Sequence, residues 1–211
     1  MEILKDFMEG KLSVPEFDKE IKNNKALLAE VNGLIPDEAK CNPNHELWKR
    51  YSYYDFKAEN FNLYNHIMRI TKVSDRIDDG LDYFSTIEFF YRYCFPQAKI
   101  DDYYDKAFMT FLEISGDSFD GVDVYDVIEN IVKAVLPYKT KKERIAKGKQ
   151  MIKDAFHVED NKRPRWIQSC EWPMGVKSPM KYVGRRKIDD GAVFIFRDVD
   201  TDEIREVEQF Y

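Results

Sequence analysis

Three histidines, His45, His66 and His157, and three cysteines, Cys41, Cys94 and Cys170, are the side chains of this 211-residue sequence best suited to metal binding or nucleophilic catalysis. Their spacing favours neither. Cys41 and His45 lie four apart, but Pro43 between them interrupts a shared helix face, and no second Cys/His pair completes a zinc set. Cys94 falls in an apolar run expected to form a buried helix, where loss of solvent raises a thiol pKa and leaves it inert. No CxxC pair exists and an odd number leaves at least one thiol unpaired, so reduced cysteines are expected. The glycine-rich phosphate loops, HExxH and GxSxG are missing from the sequence. Asp78-Asp79 and Asp101-Asp102 are acid pairs that could hold a cation, but acids at a helix start also complement the helix dipole. The expectation is a protein without catalytic residues, metal or cofactor.

The charge pattern says more. Net charge is −6, which argues against a general nucleic-acid or membrane-surface binder. Between Asp75 and Glu129 there are 14 acids and 4 bases, a local −10, whereas Asn130 to His157 holds 8 bases and 2 acids, a local +6. Asp75, Asp78, Asp79 and Asp82 precede an apolar run, and Asp117, Asp120 and Asp123 fall in a loop after the next. Loops at one end of a helical bundle can project together, so the two clusters are expected to form one acidic surface. Two basic groups stand against them. Arg185-Arg186-Lys187 reads as a solvated hairpin tip neutralised by Asp189-Asp190. Arg163, Arg165 and Trp166 have the basic-plus-aromatic look of a nucleic-acid surface, although an edge strand with its Trp packed on helices explains them more simply.

The elements that must position these residues fall into two blocks. Residues 1–157 read as helical. Ser13-Val14-Pro15-Glu16 is a capping box with Pro in the first turn, followed by Val14, Phe17 and Ile21 on one face. Gly33 and Pro36 mark a stop, and Asp37 to Pro43 reads as a loop. An aromatic-dense segment, His45 to Lys57, follows. Asn60 is a candidate cap for Phe61 to Thr71, and Ile77-Asp78-Asp79-Gly80 reads as a turn. Leu81 to Phe95 should be a buried helix stopping before Pro96. Asp101 to Ser115, Val122 to Leu136 and a basic helix from Thr140 to about Phe156 complete the block. Beyond Asn161-Lys162-Arg163-Pro164 the period becomes two. Arg165 to Gln168, Met180 to Lys187, Ala192 to Arg197 and Ile204 to Tyr211 read as strands, with Asp190-Gly191 as a hairpin turn. Helices followed by a meander give an α+β fold, an N-terminal helical bundle with a C-terminal antiparallel sheet packed on it. The expected organisation is a single domain, 1–211, with a helical block over residues 1–157 and a strand module over residues 161–211. No run of 18 apolar residues spans a membrane, and MEILKDFMEGK lacks the basic and apolar regions of a signal peptide, so a cytoplasmic location is expected.

The C-terminal quarter carries a resemblance. Pro164-Arg165-Trp166-Ile167-Gln168, Glu171-Trp172-Pro173, Phe196-Arg197-Asp198, Asp200-Thr201 and the terminal Val207-Glu208-Gln209-Phe210-Tyr211 resemble the C-terminal modules of bacterial proteins found at polymorphic-toxin and contact-dependent growth inhibition loci. Trp48 with Tyr51-Ser52-Tyr53, and Phe61-Asn62-Leu63-Tyr64, agree more loosely. The resemblance implies a cytoplasmic immunity protein that binds a cognate secreted toxin and blocks it by occlusion. It supplies no catalytic residues. The expected partner is a basic toxin domain of nuclease type, met by the acidic clusters, with no direct contact to nucleic acid or membrane; the oligomeric state stays open. Two other classes compete. An enzyme with an unrecognised site would use the aromatic-rich helices to line a pocket, and an adaptor or regulatory protein would bind through the strand module.

Overall fold

The computed structural model describes residues 2–51, 61–74 and 76–211, apart from the side chain of Asp117. Tyr54 and Phe56 of the aromatic segment, the proposed cap Asn60 and the acid Asp75 lie outside the described residues. The chain is α+β, a series of helices followed by a three-stranded antiparallel sheet of order β1-β2-β3. It divides into two compact units, residues 1–105 and 106–211.

The first unit holds α1 (Glu2–Met8), α2 (Val14–Asn23), α3 (Lys25–Asn32), α4 (Asp37–Lys40), α5 (Glu46–Arg50), α6 (Leu63–Ile70) and α7 (Ile77–Cys94). The capping box forms as read: the Ser13 N–H and hydroxyl both donate to the Glu16 carboxylate, at 2.8 and 2.7 Å. Its helix presents Val14, Phe17 and Ile21 inward. Phe17 stacks on Phe7 with ring centroids 3.9 Å apart, and Phe84 and Tyr83 of α7 meet Phe7 edge-on. Three readings are corrected here. Asp37 opens a short helix rather than a loop. Asn62 caps α6, its side chain accepting from the Asn65 N–H at 2.8 Å. Ile77 to Gly80 is the first turn of α7, because Asp78 and Asp79 suit a helix N-terminus. That helix buries Tyr83, Phe84, Ile87 and Phe90 but exposes its last turn, so Cys94 is exposed rather than enclosed.

The second unit contains most of α8 (Tyr103–Phe119), which breaks at Gly116, a 3-10 turn at Val122–Val124, α9 (Tyr125–Val135), α10 (Lys141–Ala155), β1 (Lys181–Ile188), β2 (Gly191–Arg197) and β3 (Ile204–Phe210). Thr140 caps α10 through a second capping box with Glu143. The sheet packs on helical side chains through aromatic rings. Trp172, fully buried, stacks on Phe119 at 5.1 Å and meets Phe156 and Phe196 edge-on. Trp166 lies over Phe194 and Phe196. The hairpin turn is Asp189-Asp190, not Asp190-Gly191: Gly191 pairs with Ile188 inside the ladder. A Cβ at Gly191 would lie 2.0 Å from the Gln209 carbonyl oxygen, so glycine is required by that close approach.

Arg165 to Gln168 is irregular, turning into a bend at Ile167, and not a strand. Its backbone finds a side chain instead. The Ile167 and Gln168 N–H groups both donate to Gln209 Oε1, at 2.9 and 3.1 Å, while Gln209 Nε2 donates to the Ser169 carbonyl and the Glu171 carboxylate. The buried amide thus satisfies its acceptor and both donors without a fourth strand.

Candidate functional site

Of the seven acids singled out in the sequence, Asp78, Asp79 and Asp82 stand at the start of α7 in the first unit, and Asp120 and Asp123 in the second. Asp75 and the Asp117 side chain lie outside the described residues. At α7 two of the carboxylates have local partners. Arg76 donates to Asp78 through Nε and Nη2, both at 3.3 Å, and the Ser74 hydroxyl donates to Asp79 at 2.6 Å. Asp82, one turn on, reaches solvent. Desolvation on its helix side, then the charges of Asp78 and Asp79, hold its carboxyl above the usual carboxylate range. Burial is the larger cause and the two neighbouring carboxylates add to it. Asp120 and Asp123 are exposed, and beside them burial, together with the charges of Asp120, Glu171 and Asp123, pushes the Cys170 thiol up to about 11. A thiol so protonated is a poor nucleophile.

The histidines take structural positions. His45 caps α5, its Nδ1 accepting from the Leu47 N–H at 3.1 Å. His66 is buried beside Tyr51 and Phe61, and burial, then Arg69, lower its pKa and keep it neutral. His157 Nε2 lies 3.1 Å from the Ser178 hydroxyl. Among the described residues no three His, Cys, Asp or Glu side chains gather to hold a metal, and no helix is long and apolar enough to cross a membrane.

The tail residues that carry the resemblance are largely committed to the fold. Trp166 donates its indole N–H to the Ser118 carbonyl at 3.0 Å, and Trp172 to the Met180 carbonyl at 2.8 Å. Gln209 pins residues 167–171. Asp198, buried, accepts from the Asp200 and Val176 N–H groups at 2.7 Å and from Thr201 at 3.3 Å, tying the 174–179 loop to the β2–β3 turn. Those bonds, the Asp200 and Val176 ones foremost, hold its carboxyl below the usual range. A carboxyl whose pKa falls on folding stabilises the fold above its unfolded pKa of about 3.9 and loses that contribution as pH drops through the folded value. Asp198→Asn is therefore expected to lower the thermal midpoint at neutral pH, with the gap to wild type closing progressively as pH falls below about 3.9. Thermal melts of both proteins across pH 2 to 8 check this; a pH-independent gap would show that the charge is not what stabilises the turn.

One feature of this region escaped the sequence reading. Arg163, Arg165 and Trp166 line a cleft of about 970 Å³, and Lys149 and Lys153 of α10 and Lys162 line it too. These cations come from separated segments, so only the Arg163/Arg165/Trp166 group was visible in the sequence.

Comparison with family models, with curated proteins and with solved structures finds no match to the chain. The likeness to toxin-immunity modules therefore rests on the sequence resemblance, mainly in the tail, and the tail residues serve to build the C-terminal unit.

Proposed function

We propose that the protein is a cytoplasmic immunity protein, binding a cognate basic toxin domain of nuclease type and blocking it by occlusion. The observation that carries this reading is the acidic start of α7, where Asp78, Asp79 and Asp82 fall within the first two turns of one helix. A nuclease must present a cationic surface to phosphate, and an opposed acidic patch speeds encounter with such a surface and disfavours other partners. The overall charge of −6 points the same way. The tail supports the reading by resemblance only, since its distinctive side chains serve packing and hydrogen bonding.

The test is co-expression with the toxin domain encoded beside this gene. Growth rescue together with a stoichiometric complex of the purified proteins is expected. Survival without a complex, or a complex that leaves toxin activity intact, would overturn occlusion.

A further inference from the structure

We infer that the C-terminal unit carries a binding site for a small polyphosphorylated molecule with a planar ring, the chemistry of a nucleoside di- or triphosphate, in the cleft between α10, the 161–168 segment and β1. This goes beyond the immunity reading and does not depend on it.

The cleft is lined by five cations, Lys149, Lys153, Lys162, Arg163 and Arg165, and by no carboxylate. Arg163 and Arg165 make no hydrogen bond or ion pair with any described residue. Ten guanidinium N–H donors, five on each arginine, thus face solvent at one wall of a concave site. Of the acids nearest in sequence, Glu159 pairs with Lys181 at 2.7 Å and Asp154 accepts from Gln150 at 2.9 Å, while Asp160 is exposed and outside the cleft lining. Lys153 donates to Asn161 Oδ1 at 2.8 Å, which fixes the lysine at the rim while leaving its charge uncancelled. A protein with net charge −6 has here brought five like charges to one cleft, their mutual repulsion offset only in part by Glu113 and Glu159, which lie outside the lining and act on Lys149 and Lys162. An anion with several oxygens relieves that repulsion, and guanidinium forks match phosphate geometry.

The ring follows from the remaining walls. Trp166 lines the cleft and is only partly buried, its indole held in place by Phe194, Phe196 and the bond to Ser118. Tyr182, on the cleft wall, packs on Phe196, and its hydroxyl makes no hydrogen bond with a described residue. A fixed indole at the edge of a cationic cleft is a stacking surface, and a spare hydroxyl is a further donor. The wall is preorganised, because Gln209 clamps the Ile167 and Gln168 backbone directly after the two arginines. The volume, about 970 Å³, falls at the upper end of small-ligand clefts.

Calorimetry on the full-length protein tests this with four probes: a nucleoside triphosphate, inorganic tripolyphosphate, the unphosphorylated nucleoside, and single-stranded oligonucleotides of increasing length. The triphosphate is expected to bind best, tripolyphosphate more weakly, and the nucleoside not measurably. Affinity should fall with added salt as ion release requires. Replacing Lys149, Arg163 and Arg165 by Ala should weaken triphosphate binding by about tenfold or more. The same charge change at Lys139, Lys142 and Lys187 should not, and the melting curves of both triple variants should match wild type. No binding of the triphosphate at about 1 mM, or equal loss in the two triple variants, would overturn the site. Tripolyphosphate binding as tightly as the nucleotide would remove the ring from the proposal. Affinity rising steadily with oligonucleotide length would overturn it in favour of a nucleic-acid groove.

Discussion

Residues 1–157 expressed without the rest should lose the ordered packing of α8, α9 and α10. The argument lies within the C-terminal unit. Phe119 at the end of α8 and Phe156 just after α10 meet each other at 4.9 Å, and both also pack on Trp172 from beyond residue 157, at 5.1 and 4.9 Å. Trp172 in turn contacts Phe196, which stacks with Trp166. Removing Trp172 alone should cost about 3–5 kcal/mol, the usual penalty for truncating a buried Trp or Phe. The truncation removes Trp166, Phe194 and Phe196 with it, against a total stability on the order of 5–15 kcal/mol for a domain. The sheet fares no better alone, because β2 buries Ala192, Val193, Phe194 and Phe196 and three strands cannot cover them. The expected result is a chain with reduced near-ultraviolet dichroism and no cooperative transition for the 106–157 helices, and Trp172→Ala in the full chain should show the same loss at lower temperature. A truncated, monomeric protein that kept the full chain's cooperative melt would show that the strand module is a detachable appendage.

What the sequence disclosed was local, and what it hid was not. Ser13 and Thr140 announced helix starts because a capping box is complete within four residues, and both formed with their glutamates. The meander was legible because alternation and turn residues are also short-range. Asp78-Asp79-Gly80 misread as a turn because its residue types favour turns. The acids suit the helix N-terminus instead, and the glycine is there because the Tyr104 ring lies 2.5 Å from where a Cβ at Gly80 would stand. Arg165 to Gln168 looked like a strand from its residue types, yet it bends at Ile167 and its partner is one amide some forty residues away. The cationic cleft was invisible for the same reason: Lys149, Lys153, Lys162, Arg163 and Arg165 span a helix, a turn and a loop, and only the fold brings them to one wall. The acidic α7 start was legible as charge, but not the Arg76 and Ser74 contacts that engage two of its carboxylates.

Reversing the charge at the start of α7 should slow association with the toxin strongly at low salt and much less at high salt. Exposed charges act mainly on encounter: a focused patch raises on-rates by about 10- to 1,000-fold, and the gain falls steeply with ionic strength. Asp78, Asp79 and Asp82 occupy two successive turns of one helix, so their fields overlap. Asp→Lys at all three changes the local charge by six, so on-rates should drop by at least about tenfold at low ionic strength. At 1 M salt, where the Debye length is about 3 Å, mutant and wild type should converge. Off-rates should move little, because residence time depends on desolvated anchors at the centre of an interface rather than on rim charge. Lysines at a helix start also oppose the dipole, at about 0.3–1 kcal/mol each. A parallel Asp→Asn set, which removes charge without reversing it, should give an intermediate rate with less effect on folding. Asp120→Lys with Asp123→Lys, in the other unit, is reversed separately, so that each cluster reports on its own contribution. Stopped-flow association rates against ionic strength decide the matter. A wild-type rate insensitive to salt, or one unchanged by reversal of either cluster, would remove acidic steering from the mechanism and turn attention to the Arg185-Arg186-Lys187 hairpin as the contact face.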